Sequence, residues 1–426
     1  MRDGRLFRGP SPIRRASRLG VLLLTVGSSA CQSLLEVTSP GQLETSTIET
    51  PSNAALLAGS VAAEFQCAFA KYIAASSLIG NEFTVSVLTT HWWSFDQRQL
   101  ADQGSGPTWA NATCENSEPG IYTSLSVARS MGDKTLQLLD GWTDAQVANR
   151  GALLAKTAVY TGYTYALMSE AMCSAVFDEG TEVTAAQIRT RAEERFTRAM
   201  ALGTTANLPD IVNMARLGRA RVRLGAGRKA EAAADAQLVP AGFVMNANYS
   251  DASTRSENRI FALNNRRSFV SVESIYRGLT FNGVPDPRVA IVDAGRVGSD
   301  GRTPLFLQTK YATGSSPIPI ARAAEARLII AENAVATGSL STAVNEINAL
   351  HTAAGLPLYG GGTASQVLAQ IVEERKREFF LESHHYGDAI RYQIAAFPAP
   401  GTPHKFGNVH GANLACLPLP SFERKS

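Results

Sequence analysis

The 426-residue chain lacks the short signatures that most enzymes and metalloproteins carry. No Cys-x-x-Cys spacing sets up a zinc ribbon. No Gly-x-Ser-x-Gly elbow presents a nucleophile. Gly360-Gly361-Gly362 has no Lys-Ser/Thr after it, so it reads as a flexible turn and not as a phosphate loop. Glu382, His384, His385 and Asp388 gather metal-ligand side chains, but not at His-Glu-x-x-His spacing, and adjacent histidines diverge on a helix. No metal or other cofactor is expected, and nothing marks the chain as an enzyme. Charged residues make up only 18%, and no basic patch with interleaved aromatics points to nucleic acid. The longest apolar run near the N-terminus is about ten residues, half of what spans a bilayer. What is present is 45% hydrophobic residues, enough for a large core, with 35 Gly and 19 Pro that imply many loops.

The first thirty residues follow the grammar of a bacterial export signal. Six arginines precede the apolar run at 19–26, and small residues lead to Cys31. Cys31 after Ser28-Ser29-Ala30 resembles a lipoprotein signal, with the thiol as the acylation point, although Ser28 stands where Leu is usual. The expectation is a lipoprotein signal peptide over 1–30, a lipid-attached tether over 31–53 and a single domain over 54–426. Six Arg and one Asp give 1–30 a charge of +5, against +3 for the whole chain, so the remainder carries −2.

Helical spacing of apolar residues predicts helices over 54–79, 121–139, 145–172, 187–202, 211–224, 229–238, 324–334 and 342–353. A further charged, aromatic helix is read over 373–391. The helices fall into pairs, with small residues such as Ala155, Ala158, Gly162 and Ala166 at the expected crossings. The fold expected is mainly α, with tetratricopeptide-like helical pairs near 145–238 and 321–392. Long irregular loops near 80–120 and 240–320 separate them, with at most a few short strands. A hairpin or edge strand is read around 289–311, its best segment being Leu305-Phe306-Leu307-Gln308-Thr309-Lys310-Tyr311. An irregular helical bundle uses the same stripes.

Three sets of side chains stand out. Cys67, Cys114, Cys173 and Cys416 of an exported chain allow two disulfides in three connectivities; Cys67–Cys114 is expected, because both flank one aromatic-rich region. Four unpaired buried thiols are the alternative. Glu374, Glu378 and Glu382 recur every four residues, which suits either a carboxylate pair in catalysis or an ion-pair network reaching Arg327 or Arg391. Trp92, Trp93, Phe95 and Trp109 lie in an irregular stretch. They are the candidate ligand-binding residues, since aromatic faces stack on sugar rings or on apolar peptide side chains. Core packing is the competing role for them.

The C-terminal motifs resemble the SusD/RagB family of outer-membrane nutrient-binding lipoproteins. The matching segments are Pro285-Asp286-Pro287-Arg288-Val289, then Glu325, Leu328, Ala331 and Glu332, then Ala343, Ile347, Asn348, Leu350 and Ala354-Gly355-Leu356-Pro357. They continue with Glu374-Arg375, Glu378-Phe379, Glu382, His384, Tyr386, Asp388 and Arg391, and close with Leu417-Pro418-Leu419-Pro420. Departures are His351 for the usual Arg, Ser383 for Gly, and His385-Tyr386 for an Arg-Trp pair. The resemblance is specific mainly over 285–420. It implies a cell-surface lipoprotein of the outer membrane that binds a glycan or oligopeptide and passes it to a SusC-like TonB-dependent transporter. It implies no catalysis, and a structural role for Glu325, Glu332, Glu374, Arg375, Glu378, Glu382, Asp388 and Arg391. Two rivals remain open. One is a tetratricopeptide-type envelope scaffold that binds other proteins. The other is a secreted hydrolase, whose activity would depend on Glu374, Glu378 or His384.

Overall fold

The computed structural model describes residues 45–100 and 109–424. The signal segment and the expected acylation point Cys31 lie outside them. The chain divides into a unit ending at Ile48, of which the single turn α1 (Thr45–Ile48) is described, and a second unit from Glu49 onward.

The second unit is built on α2 (Ala54–Ile79), whose C-terminal two-thirds is buried on every side. A helix apolar all round belongs inside a protein. A short helix α3 (Thr90–Asp96) follows, then α4 (Tyr122–Gly141) and α5 (Arg150–Ala171), both packed on α2. The stack continues side by side through α6 (Ala185–Thr205), α7 (Pro209–Gly225) and α8 (Lys229–Ala236). After a long irregular segment containing the short turn α9 (Arg259–Phe261), α10 (Ala323–Ala336) docks on α7 and α8. With α11 (Leu340–Ala354) and α12 (Ala364–Glu378) it encloses a second, smaller core of Leu328, Ile347, Leu350, Val367, Ile371 and Phe379. The two runs of helical pairs read from the sequence are thus one continuous stack, interrupted in sequence but not in space.

Local chemistry sets the boundaries. Thr184 with Gln187, and Thr363 with Gln366, form capping boxes that start α6 and α12. Pro209 opens α7, where a missing N–H costs nothing. Small residues set the helix spacing: a Cβ on Gly162 would lie 2.8 Å from the Phe196 ring, and one on Gly218 only 2.4 Å. The ring therefore occupies a slot that the two glycines open between α5, α6 and α7.

Strands are short and, among the described residues, occur only as two-stranded antiparallel pairs. They are β1 (Phe83–Val85), β2 (Ser174–Val176), β3 (Glu182–Thr184), β4 (Val244–Ala247), β5 (Val270–Val272), β6 (Thr280–Phe281), β7 (Val284–Pro285), β8 (Ile291–Val297), β9 (Pro304–Gln308) and β10 (Ile318–Arg322). The hairpin read around 289–311 is β8 paired with β9. The extended approach to α10 is β10, which pairs with β4.

Two readings are corrected. The stretch over 80–120 is not irregular throughout, because Trp92, Trp93 and Phe95 lie on α3. Nor is 373–391 one helix. It ends at Glu378 and resumes as α13 (His385–Arg391), with Leu381 and Ser383 at φ 58° and 74° between the two. Tertiary partners hold the break open. The Glu82 carboxylate accepts the Leu381 N–H at 2.6 Å, and Phe380 stacks on Tyr276. Ser383 occupies a left-handed conformation that favours glycine, which gives a physical reason for the Gly usual at this place in the family it resembles.

Candidate binding surface and the C-terminal ion-pair lattice

α3 presents its aromatic residues in opposite directions. Trp92 and Phe95 are buried, 1% and 0% exposed. Trp92 meets Phe269 edge-on and donates its indole N–H to Glu118 at 3.1 Å. Trp109 is equally buried, at 1%. These three were read as ligand contacts and are instead core side chains. The reason is the amphipathic turn of α3, which sends Trp92 and Phe95 inward. Trp93 alone of the four is only partly buried.

Trp93 stacks on Phe406, with ring centroids 4.6 Å apart and planes at 17°. Its indole N–H is anchored on the Val87 carbonyl at 3.0 Å. The Arg302 guanidinium lies 5.2 Å from the Phe406 centroid and the Lys405 ammonium 5.8 Å from it. Exposed Leu88 and Val409 belong to the segments that carry Trp93 and Phe406. The result is a stacked aromatic pair with cations over its Phe406 ring, suited to stacking on the C–H face of a sugar.

The segment carrying Phe406 is held to the end of α3 by buried polar groups. Arg98, 2% exposed, donates to the carbonyls of Phe397, Pro398 and Gly411 at 2.8, 2.6 and 2.9 Å. Gln97 bonds His404 and the Gly407 carbonyl, both at 2.9 Å. Asp96 accepts from the Val85 N–H and from Thr84, and contacts His404 at 3.2 Å. Burial pushes the Asp96 carboxyl upward, but the His404 hydrogen bond and the Lys405 charge outweigh it and hold the group below the ordinary carboxylate range. Sequence reasoning missed Phe406. Its partner is far along the chain, and only its place in an Asn/Gly-rich turn hinted at exposure.

The C-terminal motif residues form a buried lattice of ion pairs. Glu374 meets Arg288 at 2.6 Å and His351 at 2.7 Å. Glu378 meets Arg288 at 3.0 Å and also bonds Arg322. Glu382 meets Arg322 at 2.8 Å and Lys310 at 2.6 Å. The expected partners Arg327 and Arg391 are not the ones used: Arg327 pairs with Glu346, and Arg391 with Glu332 and Asp388. The cause lies in the tertiary arrangement, which sets β10 and the Asp286–Arg288 turn against the carboxylate face of α12. Arg375 takes Asp388 at 2.8 Å.

His351 sits between two acceptors, the Pro357 carbonyl at 2.6 Å from Nδ1 and Glu374 at 2.7 Å from Nε2. Burial lowers its affinity for a proton, but the Glu374 hydrogen bond and charge and the Pro357 carbonyl raise it above the ordinary value. Protonated at both nitrogens, the ring keeps a cation where an Arg is usual. Each carboxylate of the Glu374–Glu378–Glu382 row is thus engaged by cations. That arrangement suits holding helices together better than acid–base work.

Residues 305–412 match the SusD family model. No curated protein sequence matches the chain. Solved structures share its fold. A surface glycan-binding protein A from Bacteroides thetaiotaomicron superposes with a TM-score of 0.64 at 15% identity, covering 86% of this chain and 94% of its own. A SusD superfamily protein from Bacteroides fragilis gives 0.63 at 13%, covering 88% and 97%. The surface glycan-binding protein A of Bacteroides uniformis gives 0.55 at 16%, covering 81% and 89%. Residues 305–412, which supply most of the ion-pair lattice, thus carry the SusD family match, within a helical stack whose fold is shared with SusD superfamily structures.

Proposed function

We propose that this protein is a carbohydrate-binding lipoprotein of nutrient uptake, and that it holds its glycan against the Trp93–Phe406 surface. The observation that carries the reading is that stacked, partly buried aromatic pair with Arg302 and Lys405 over Phe406. It stands in a fold shared with surface glycan-binding proteins. Arginine and aromatic faces together offer both stacking and hydrogen bonding to a sugar.

In this reading Cys31 carries the lipid, the protein faces the cell surface from the outer membrane, and a SusC-like TonB-dependent transporter receives the ligand. No helix among the described residues is long and apolar enough to cross a membrane, which agrees with attachment by lipid. No bond-making step is assigned, because Glu374, Glu378 and Glu382 are each committed to cations. Titration of residues 33–426 with a panel of oligosaccharides and oligopeptides tests the reading. Binding of at least one glycan by the wild type, lost in Trp93→Ala and in Phe406→Ala, is the expected result. Glycan binding that survives both substitutions, or binding of peptides only, would overturn it. Co-purification of the full-length chain with a TonB-dependent barrel tests the partner separately.

A further inference from the structure

Trp93 and Phe406 are joined by hydrogen bonds as well as by their rings. The Trp93 carbonyl accepts the Gln97 N–H at 2.7 Å, one turn further along the chain. The Gln97 side-chain amide meets His404 Nδ1 at 2.9 Å, and the Phe406 N–H meets the same Nδ1 at 3.3 Å. Three contacts thus run from one stacked residue to the other, and the last two share a single imidazole nitrogen.

The partners of His404 fix its protonation. The ring is buried. Its Nε2 faces Asp96 Oδ2 at 3.2 Å, and a carboxylate held below the ordinary range only accepts, so Nε2 carries a hydrogen. At Nδ1 the Phe406 backbone N–H can only donate. Gln97 donates there too, because the same amide nitrogen gives its other hydrogen to the Gly407 carbonyl at 2.9 Å. Turning that amide over would set oxygen against oxygen. His404 is therefore a neutral imidazole, with its hydrogen on Nε2 and a lone pair on Nδ1.

A second proton, on Nδ1, would face two donors. Both bonds at that nitrogen would break, and the Phe406 backbone would lose the acceptor that fixes it. Several charged groups surround the ring. Asp96 touches it, and Arg98 follows Asp96 at the end of α3. Lys405, next in the chain, donates to Thr84 at 2.8 Å, and Arg302 donates to the Lys405 carbonyl at 3.3 Å. Asp300, Glu273 and Arg277 act on Lys405 from beyond. The His410 ring lies 5.0 Å from that of His404. His410 is not equivalent to it: its Nδ1 faces the Asp96 carbonyl at 3.2 Å, so that contact is a donation, which survives protonation of the ring. Burial also lowers the affinity of His410 for a proton. The base of the turn is held independently, by Arg98 on the carbonyls of Phe397, Pro398 and Gly411. Loss at His404 is thus confined to the tip over 404–408, which carries Phe406.

We propose that His404 is the positioning residue for Phe406, and that it holds the Trp93–Phe406 stack only as the neutral imidazole with its hydrogen on Nε2. Acid places a proton on Nδ1, frees the Phe406 backbone and releases a ligand stacked on the pair. The release rests on the reading of that pair as the binding surface. The positioning does not, since it follows from the hydrogen bonds of the turn alone.

The positioning is tested on the full chain without ligand. Nitrogen-15 NMR should find His404 Nδ1 unprotonated at about pH 7.5, with the Phe406 amide protected from hydrogen exchange. Between about pH 7.5 and 5 the proton should reach Nδ1. Protection of the Phe406 amide should fall about tenfold over the same range, after correction for the intrinsic pH dependence of exchange. His404→Asn offers an acceptor near the Nδ1 position that takes up no proton, so its Phe406 protection should not change with pH. His410→Gln should keep the wild-type transition. Circular dichroism reports whether the variants are folded, and the wild-type NMR decides if His404→Asn is not. A proton on Nδ1 at about pH 7.5, or none there by about pH 5, overturns the proposal. So does protection that persists once Nδ1 is protonated, or the same acid transition in folded His404→Asn. The release is read with the glycan that the panel identifies. Wild-type affinity should fall about tenfold across the range, while that of His404→Asn stays level. Glycan held equally well on both sides of the transition overturns the release. A ligand-free transition in a protein that binds no glycan leaves the positioning standing and removes the binding reading instead.

Discussion

Arg288 and Glu374 meet at 2.6 Å across 86 positions of the chain. The contact ties the Asp286–Arg288 turn, which closes the irregular middle segment, to the carboxylate face of α12. Glu374 is fully buried and Arg288 nearly so. Removing one partner of such a pair strands the other charge. Arg288→Ala and Glu374→Ala should each destabilise the protein by about 3–5 kcal/mol. The double variant should cost less than the two added together, which a double-mutant cycle from denaturant unfolding measures directly.

The four aromatic residues singled out in the sequence should separate by substitution. Trp92→Ala removes a core side chain and should cost about 3–5 kcal/mol in unfolding free energy. Trp93→Ala should leave the unfolding midpoint far less changed while removing glycan binding. Equal loss of stability in the two variants would place Trp93 in the core as well.

Stability should also depend on helix spacing at Gly218. A methyl group there would lie 2.4 Å from the Phe196 ring, which is itself wedged against Gly162. Gly218→Ala should cost about 1–3 kcal/mol despite its better helix propensity. Adding Phe196→Leu should recover part of the loss, and thermal unfolding of the three proteins checks this.

Glu82 gives a pH signature. Burial pushes its carboxyl up to about 7 from 4.5, although the Leu381 N–H and Ser77 bond to it. The folded protein therefore holds a proton that the unfolded chain releases between these values, so this group makes stability fall as pH rises from about 4.5 to 7. Its contribution reaches about 3 kcal/mol at full extent. His385 works in the opposite sense, because burial lowers it to about 4. The difference between wild type and Glu82→Gln isolates the carboxyl. The variant should lose this falling component, as read from denaturant midpoints between pH 4.5 and 8.

Reduction tests the C-terminal strap that Cys416 ties down. The Cys173–Cys416 bond spans 243 positions and Cys67–Cys114 spans 47. Closing the longer loop removes more freedom from the unfolded chain, within a usual range of about 2–5 kcal/mol per bond. Cys173→Ser with Cys416→Ser should lower the thermal midpoint more than Cys67→Ser with Cys114→Ser. Mass mapping of a non-reduced digest should show the same two pairs.

Much of the architecture is legible in the chain itself. Helix α2 spans the residues that the apolar spacing indicates, and the pairs α5–α6 and α7–α8 carry their crossing glycines and alanines in plain view. Periodicity and small-residue placement are local properties, written in neighbouring positions. The paired strands β8 and β9 are legible only in outline, because the alternation over 305–311 is weak.

The candidate site was legible only in part. Four aromatic residues in one stretch announced a cluster, but burial divided them, and burial depends on what packs from elsewhere. Trp93 faces Phe406 because Arg98 and Gln97 hold the 397–411 segment in place. The carboxylate row of α12 was visible as an ion-pair network, yet its partners Arg288 and Arg322 come from turns and strands whose position no local pattern encodes.

By itself, then, the sequence determined the helical class, the pairing of helices and the motif residues that mark the SusD/RagB family. These follow from short-range sterics and from the spacing of apolar side chains. Tertiary structure alone decided that 373–391 breaks into two helices, which aromatic face stays near the surface, and which cations meet which carboxylates. Each of these outcomes balances desolvation against contacts between residues tens to hundreds of positions apart, and that balance exists only once the chain has folded.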